Sequence, residues 1–210
     1  MSQIARRGVC LVLAAPSGAG KTAITDALLA CEPNLERSVS VTTRAPRVGE
    51  IDGKHYHFLT EAQFQTALIR NELLEWARVL QGTHAYGTPR TPVEAALAAG
   101  RDVVFDIDWQ GHRSLREKLP ADVVSVFILP PDLNALEMRL RRRAGDAAGE
   151  IQRRMRVARD EISHWPEFDY VVLNDDLAAA TALVRSVLHT ARASTTRQVG
   201  LQDFVTALTR

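Results

Sequence analysis

Cysteine is scarce in this chain of 210 residues, and its two cysteines, Cys10 and Cys31, have neither a CxxC spacing nor histidines suited to a zinc site. That argues against a disulfide scaffold and a structural metal, and two reduced thiols in a cytoplasmic protein are expected. Excess charge is lacking as well. The 26 Lys and Arg against 25 Asp and Glu leave a formal charge of +1, which argues against a whole-chain nucleic-acid binder while leaving room for local arginine clusters that hold small polyanions. No apolar run reaches membrane-spanning length. The basic pair in MSQIARRG precedes an apolar run that ends in PSGAGKT, not in a small-residue cleavage site. Neither nucleic acid nor membrane is an expected partner, and no export is expected. What remains, 46% apolar and 24% charged residues, is the composition of one folded domain rather than of a disordered chain.

Short β-branched runs at VCLVLAA, VVFDID (103–108), VVSVFILP (123–130) and YVVLND (170–175) are each followed by a helical pattern. This order predicts an α/β fold with buried parallel strands and crossover helices, doubly wound. Helices are expected over 20–30, 91–99, 110–118, 132–143, 150–164 and 176–193, several opened by Asp, Thr or Pro. The pattern breaks between about 38 and 88. There SVSVTTR, HYHFLT and ELLEWARVL read as three short strands around the helix EAQFQTALIRN, a small mixed insertion fit to be a substrate lobe. RRRAGDAAG (141–149) reads as a basic hinge between two helices, in the manner of a mobile lid. The tail after 193 suggests one short extra helix.

The segment Ala15-Pro16-Ser17-Gly18-Ala19-Gly20-Lys21-Thr22 lies between an apolar run and a helical pattern. In a phosphate-binding loop, glycines turn successive backbone N–H groups inward, and the following helix adds its N-terminal dipole. Lys21 then reaches the β- and γ-phosphates, and the Thr22 hydroxyl ligates Mg²⁺ directly or through water. Ala15 stands where the pattern has glycine, a tolerable exchange if φ there stays negative. The plainer alternative is a glycine-rich turn that ends a strand beside a surface lysine.

A phosphate cradle does not name the acceptor. Arg44, Arg47 and Tyr56 in SVSVTTRAPRVGEIDGKHY offer two guanidiniums and a phenol for a second phosphate, against the alternative of a solvated basic loop. Glu75 in LLEWA, with Ser40 or Thr88, pairs a carboxylate acceptor with a hydroxyl donor, which complements the edge of guanine and opposes that of adenine. A buried carboxylate facing the wrong base would cost about 1–3 kcal/mol or more. Asp106 and Asp108 in DIDWQG fall at the end of an expected parallel strand, where ligands of open α/β sheets bind. Two apart, they can face one site, to hold metal-bound water, a base or arginines; Asp108 can instead cap the next helix.

With APSGAGKT, SVSVTTRAPRVGEIDGKHY, LLEWA, YGTP, DIDWQG, FILPP and YVVLNDD in that order from about residue 8 to 193, the chain resembles the guanylate kinases. The resemblance implies Mg²⁺-dependent transfer of a phosphoryl group from ATP to GMP or dGMP on a P-loop NTPase-type core. It divides the chain into a core (1–37, 89–138 and 155–210), a GMP-binding lobe (38–88) and a lid (139–154). By the same likeness Ser40, Glu75 and Thr88 meet guanine with Asp106 and Asp108 nearby, while Arg44, Arg47, Tyr56 and Tyr86 hold the GMP phosphate. The loop from Ala15 to Thr22 holds ATP with Arg139, Arg143 and Asn174, and Lys21, Arg44, Arg143 and Arg154 neutralise the moving charge.

The sequence departs from the family at RLRRRAGD, where Arg142 and Ala144 replace lid glycines, and at RVLQGTHAYG, longer by about two residues, where Ala85 replaces a tyrosine. Other readings of the same fold are a ribose-bisphosphate kinase and a phosphopeptide-binding scaffold domain.

Overall fold

The computed structural model describes residues 4–79, 83–144 and 148–210. After β1 (Ala5–Arg6) comes β2 (Cys10–Ala14), whose CLVLA sequence is buried at every position. A strand apolar on both faces belongs at the centre of a covered sheet. Next come α1 (Lys21–Cys31) and β3 (Leu35–Arg37). The insertion follows as β4 (Val41–Thr42), β5 (His57–Phe58), α2 (Glu61–Ile69), β6 (Leu73–Val79) and β7 (His84–Pro89). The chain returns through α3 (Arg90–Ala98), β8 (Asp102–Asp106), α4 (Trp109–Lys118) and β9 (Val123–Leu129). Then α5 (Leu133–Ala144) and α6 (Ala148–Ser163) precede β10 (Tyr170–Leu173), α7 (Leu177–Ala193), β11 (Gln198–Val199) and α8 (Leu201–Leu208).

The core sheet is parallel in the order β10-β9-β2-β8-β3. Leu11 and Leu13 of β2 pack with Ile24, Leu28, Val184 and Leu188 of α1 and α7. Cys10 and Val12 face the opposite layer, Val93, Leu97 and Leu115 of α3 and α4. Because the chain leaves β2 for β3 and β8 on one side and β9 and β10 on the other, the loop after β2 opens at the switch point of the sheet, where α/β folds bind ligands. Both cysteines are free, Cys10 buried and Cys31 exposed, and no described helix is long and apolar enough to cross a membrane.

The expected doubly wound core is present, with two corrections. β3 was not anticipated: its LER sequence buries Leu35 alone, too short and polar for a strand signal. β8 stops at Asp106, not at 108, because the Asp108 carboxylate accepts the Gly111 N–H at 2.8 Å and caps α4.

The insertion holds four strands, in the order β5-β4-β7-β6, rather than three. β7 is HAYGTP, whose Gly and Pro mask its strand character. α2 starts with a reciprocal capping box between Thr60 and Gln63, and Phe64 and Ala67 carry its apolar face onto Val41, Leu73 and Ala85. Opposite Thr88 and Pro89, β6 carries one extra residue between Leu73 and Glu75, a bulge. Leu73 therefore packs in the lobe and Leu74 in the main core, fastening one to the other. α5 and α6 close on their own cluster of Leu136, Leu140, Ile151, Met155 and Ala158.

Buried ion pairs fasten both ends of the described chain to the core. Asp102, with no exposed surface, accepts from Arg6 at 2.7 and 2.9 Å, from Arg192 at 2.8 Å and from the Val9 N–H at 2.9 Å. Arg197 donates to the carbonyls of Gly8 and Asp122. Glu32, at the end of α1, accepts from Arg185, His189 and Arg192 of α7. Burial pushes the Glu32 carboxyl up, but the three hydrogen bonds together override it and hold it down at about 2. The unfolded value is about 4.3, so this carboxylate contributes stability that is complete above that pH and is lost as pH falls through about 2. Glu32→Gln is expected to cost about 1–3 kcal/mol at pH 7 and to flatten the fall in stability between about pH 4.5 and 2. Denaturant melts of both proteins across that range read the effect, and parallel curves would contradict it.

Candidate active site

Gly18 and Gly20 adopt φ of 92° and 98°, and among the described residues Asn71 alone is a non-glycine with positive φ. Ala15 therefore meets the condition under which alanine can replace the first glycine. At Gly20 a Cβ would stand 2.2 Å from Asn174 Nδ2, so the loop needs glycine there for space as well as for φ. Asn174 Nδ2 donates to the Ala19 carbonyl at 2.7 Å, and Arg139 donates to the carbonyls of Ala19 and Asn174, both at 3.3 Å. The loop is thus braced from β10 and α5. Whereas side chains cap α2, α4 and α7, α1 starts at Gly20 with no side-chain cap and no acid in its first turn. Its leading N–H groups and positive dipole end are left to the loop.

Lys21 Nζ lies 2.7 Å from Asp106 Oδ1 and donates to the Ile107 carbonyl at 3.0 Å. Asp106 also faces Arg37 at 3.6 Å. A cavity of about 270 Å³ follows the loop from Ala15 to Thr22 and is closed by Asp108 and Glu161. On the other side of Gly18 and Gly20, a cavity of about 400 Å³ is bounded by Arg139, Arg142, Asn174 and Leu177.

The second half of the site lies on the insertion. Glu75 and Thr88 are direct partners across β6 and β7, both buried, and Thr88 Oγ1 donates to Glu75 Oε1 at 2.6 Å. Burial pushes the Glu75 carboxyl up. The Thr88 hydroxyl and Lys118 oppose that, the nearby Asp108 charge adds to it, and the net shift is upward. Arg44 donates from Nε to the Tyr86 hydroxyl at 3.2 Å and from Nη2 to Glu50 at 2.8 and 3.0 Å. Its guanidinium lies 5.5 Å from the Tyr56 ring centroid, and Tyr56 meets Tyr86 edge-on at 5.9 Å.

The sequence-derived residues thus fall into groups. The loop, Arg139 and Asn174 form one, and Glu75 with Thr88 a second, reached by the charge of Asp108. Arg44, Tyr56 and Tyr86 form a third. Ser40 lines a cavity of about 140 Å³ with Tyr56 and Asp106. Asp106 holds Lys21 and Arg37, and Asp108 is the cap of α4. Arg47 is exposed, and its backbone N–H donates to Glu50 at 2.7 Å. Arg154 pairs with Glu150 on α6 at 3.1 Å. The side chain of Arg143 lies outside the described residues, as do residues 80–82 of RVLQG; of the hinge expected over 141–149, residues 141–144 continue α5, 148–149 open α6, and 145–147 lie outside the described residues.

Two carboxylates were not anticipated. Glu50 lies three residues past Arg47 in a turn closed by the Glu50 N–H on the Arg47 carbonyl, a spacing that offered a local signal. Hydrogen bonds from Arg44 and then from the Arg47 backbone hold its carboxyl below the ordinary range. Glu161, in the last turn of α6, accepts the Ser17 N–H at 3.2 Å. Its partner is remote in sequence, and no motif pointed to it.

The family model for guanylate kinase matches residues 7–191. The guanylate kinase of Gluconobacter oxydans (strain 621H) is 59% identical over 210 residues, covering both chains fully. That of Rhodospirillum rubrum is 55% identical over 202 residues, 96% of this chain and 92% of the relative. The crystal structure of guanylate kinase from Anaplasma phagocytophilum superposes with a TM-score of 0.76 at 35% identity, covering 97% of this chain and 96% of that one. The strand–loop–helix cradle, the lobe inserted between β3 and β8, and these matches along almost the whole chain lead to one conclusion: the chain belongs to the guanylate kinase family.

Proposed function

We propose that the protein transfers the γ-phosphoryl group of ATP to GMP or dGMP, giving ADP and GDP or dGDP. The observation that carries this reading is the buried Glu75–Thr88 pair. A buried carboxylate fixed by a hydroxyl is expensive unless it serves a ligand that donates to it. The N1–H and exocyclic amine of guanine are such donors, and adenine has an unprotonated N1 at the corresponding place. Neither a ribose-bisphosphate kinase nor a phosphopeptide-binding domain requires this pair.

In this reading residues 38–88 are the acceptor lobe, 139–154 the lid, and the remainder the core. Glu75, Thr88 and Ser40 read guanine, with Asp106 and Asp108 at the inner edge of the site. Arg44, Arg47, Tyr56 and Tyr86 hold the acceptor phosphate by charge-assisted hydrogen bonds. The N–H groups of the loop from Ala15 to Thr22 and Lys21 hold the donor phosphates, and Arg139 and Asn174 face the nucleoside. An oxygen of the acceptor phosphate attacks the γ-phosphorus as the bond to the ADP oxygen breaks. That oxygen is already anionic, so positioning and charge neutralisation by Lys21, Arg44, Arg143 and Arg154 carry the rate, without a strong general base.

Mg²⁺ fits this site as an ion carried by the donor. The Thr22 hydroxyl is exposed in the first turn of α1 beside Asp108, and the described residues contain no cluster of three or more acidic, His or Cys side chains able to cage a metal. The Thr22 hydroxyl would hold the ion, directly or through water, and the ion would neutralise charge on the donor phosphates.

Coupled release of ADP with GMP, AMP, UMP and ribose 1,5-bisphosphate as acceptors tests the assignment. GMP is expected to be the best substrate, and any other ranking first refutes it. Glu75→Ala is expected to lower kcat/KM for GMP by about ten- to a hundredfold with KM for ATP nearly unchanged. If ATP affinity collapses instead, β6 does not serve the acceptor. Since Glu75 must stay ionised to accept from guanine, kcat/KM for GMP is expected to fall on acidification through a pKa above the ordinary glutamate value of about 4.3. That limb should vanish in the pH profile of Glu75→Gln.

A further inference from the structure

Glu161 is a poor place for a negative charge. It lies in the last turn of α6, where the negative end of the helix dipole opposes a carboxylate. Burial pushes its carboxyl up, Asp108 and Asp160 push the same way, and the Ser17 N–H and Lys21 only partly compensate. Yet its Oε2 sits on the Ser17 N–H at 3.2 Å, within the cavity of about 270 Å³ that follows the phosphate loop. A backbone N–H of such a loop is built to receive an anionic oxygen. Here the protein supplies that oxygen from its own α6.

The helix that carries Glu161 is also tied to the loop indirectly. α5 packs on α6 through Leu136 and Leu140, and the same two leucines lie 3.1 and 3.2 Å from where a Cβ of Gly18 would stand. The helix pair thus touches consecutive loop residues, by a hydrogen bond at Ser17 and by apolar contact at Gly18.

We propose that Glu161 is an internal ligand of the phosphate loop, a carboxylate that competes with a donor phosphate oxygen for the Ser17 N–H and moves away with the end of α6 when the phosphate binds. The competition lowers donor affinity and couples filling of the loop to the position of the lid helices. The inference rests on the assignment of the donor to this loop.

Calorimetric titration of ATP, and separately of inorganic tripolyphosphate, into the full chain and its Glu161→Ala and Glu161→Asp variants tests it, with GMP as the control. Aspartate keeps the charge but falls one methylene short of Ser17. Both variants are expected to bind ATP and tripolyphosphate about three- to tenfold more tightly, somewhat less than the worth of a fully buried charged hydrogen bond, with GMP binding unchanged. Unchanged or weaker binding in both overturns the inference. Tightening in Glu161→Ala alone also overturns it, because charge and not occupancy of the N–H would then be responsible. If tripolyphosphate binding tightens as expected while no form binds ATP, the internal ligand stands and the donor assignment falls. Should the variants fail to fold, the wild type decides by NMR: tripolyphosphate is expected to shift the Glu161 carboxyl carbon and the Ser17 amide together, and a fixed Glu161 signal overturns the proposal.

Discussion

Lys21 sits 2.7 Å from Asp106, and that contact sets the terms for the rest of the site. A parallel sheet brings the N-terminal turn of α1 and the C-terminal ends of β2 and β8 to one edge, so positive helix ends and loop N–H groups accumulate there. Cations added to the same edge must be held in place without a permanent excess of charge. Asp106 does this for Lys21 and Arg37, and carboxylates likewise occupy donors elsewhere in the site, Glu50 that of Arg44 on the insertion and Glu161 the Ser17 N–H. In the proposed function a nucleotide phosphate binds by exchange of one anion for another, which reduces the net energy gained per contact.

Glu75 follows a different rule. The cationic side chain nearest it electrostatically, Lys118, donates its hydrogen bond to the Leu73 carbonyl, and Glu75 is left with a hydroxyl partner in a buried strand pair. The bulge between Leu73 and Glu75 makes that burial possible: it breaks the alternation of β6, so that Leu73, Leu74 and Glu75 are all buried. A strand in simple alternation would turn one of these outward. The irregularity thus fixes the lobe to the core and shields the carboxylate in a single step.

Much of this was legible in the sequence because the signals were local. Short β-branched, apolar runs marked β2, β8 and β9, and the glycines and Lys21 marked the loop between strand and helix. Failures came where a short or polar segment gains its structure from neighbours. LER becomes β3 only by pairing with β8, and HAYGTP becomes β7 only between β4 and β6. Asp106 and Asp108 looked like a two-apart pair on one strand face, but capping of α4 claimed Asp108 first, since an unpaired helix N–H is costly. Glu161 and the ion pairs of Asp102 and Glu32 bridge distant parts of the chain. Periodicity carries no information about such contacts.

The pair α5 and α6 shows how local departures and long-range contacts combine. In RLRRRAGD, Arg142 and Ala144 stand where the family has glycines, and both residues raise helix propensity. α5 accordingly runs unbroken through Ala144, with Leu136 and Leu140 turned toward α6 and Gly18 and with Arg139 reaching Ala19 and Asn174. A helix that is stiff across these positions cannot move Arg139 independently of the leucines. Through Glu161, the two leucines and Arg139, the pair α5 and α6 touches Ser17, Gly18 and Ala19 at once, so in the proposed function the phosphate loop and the lid shift together.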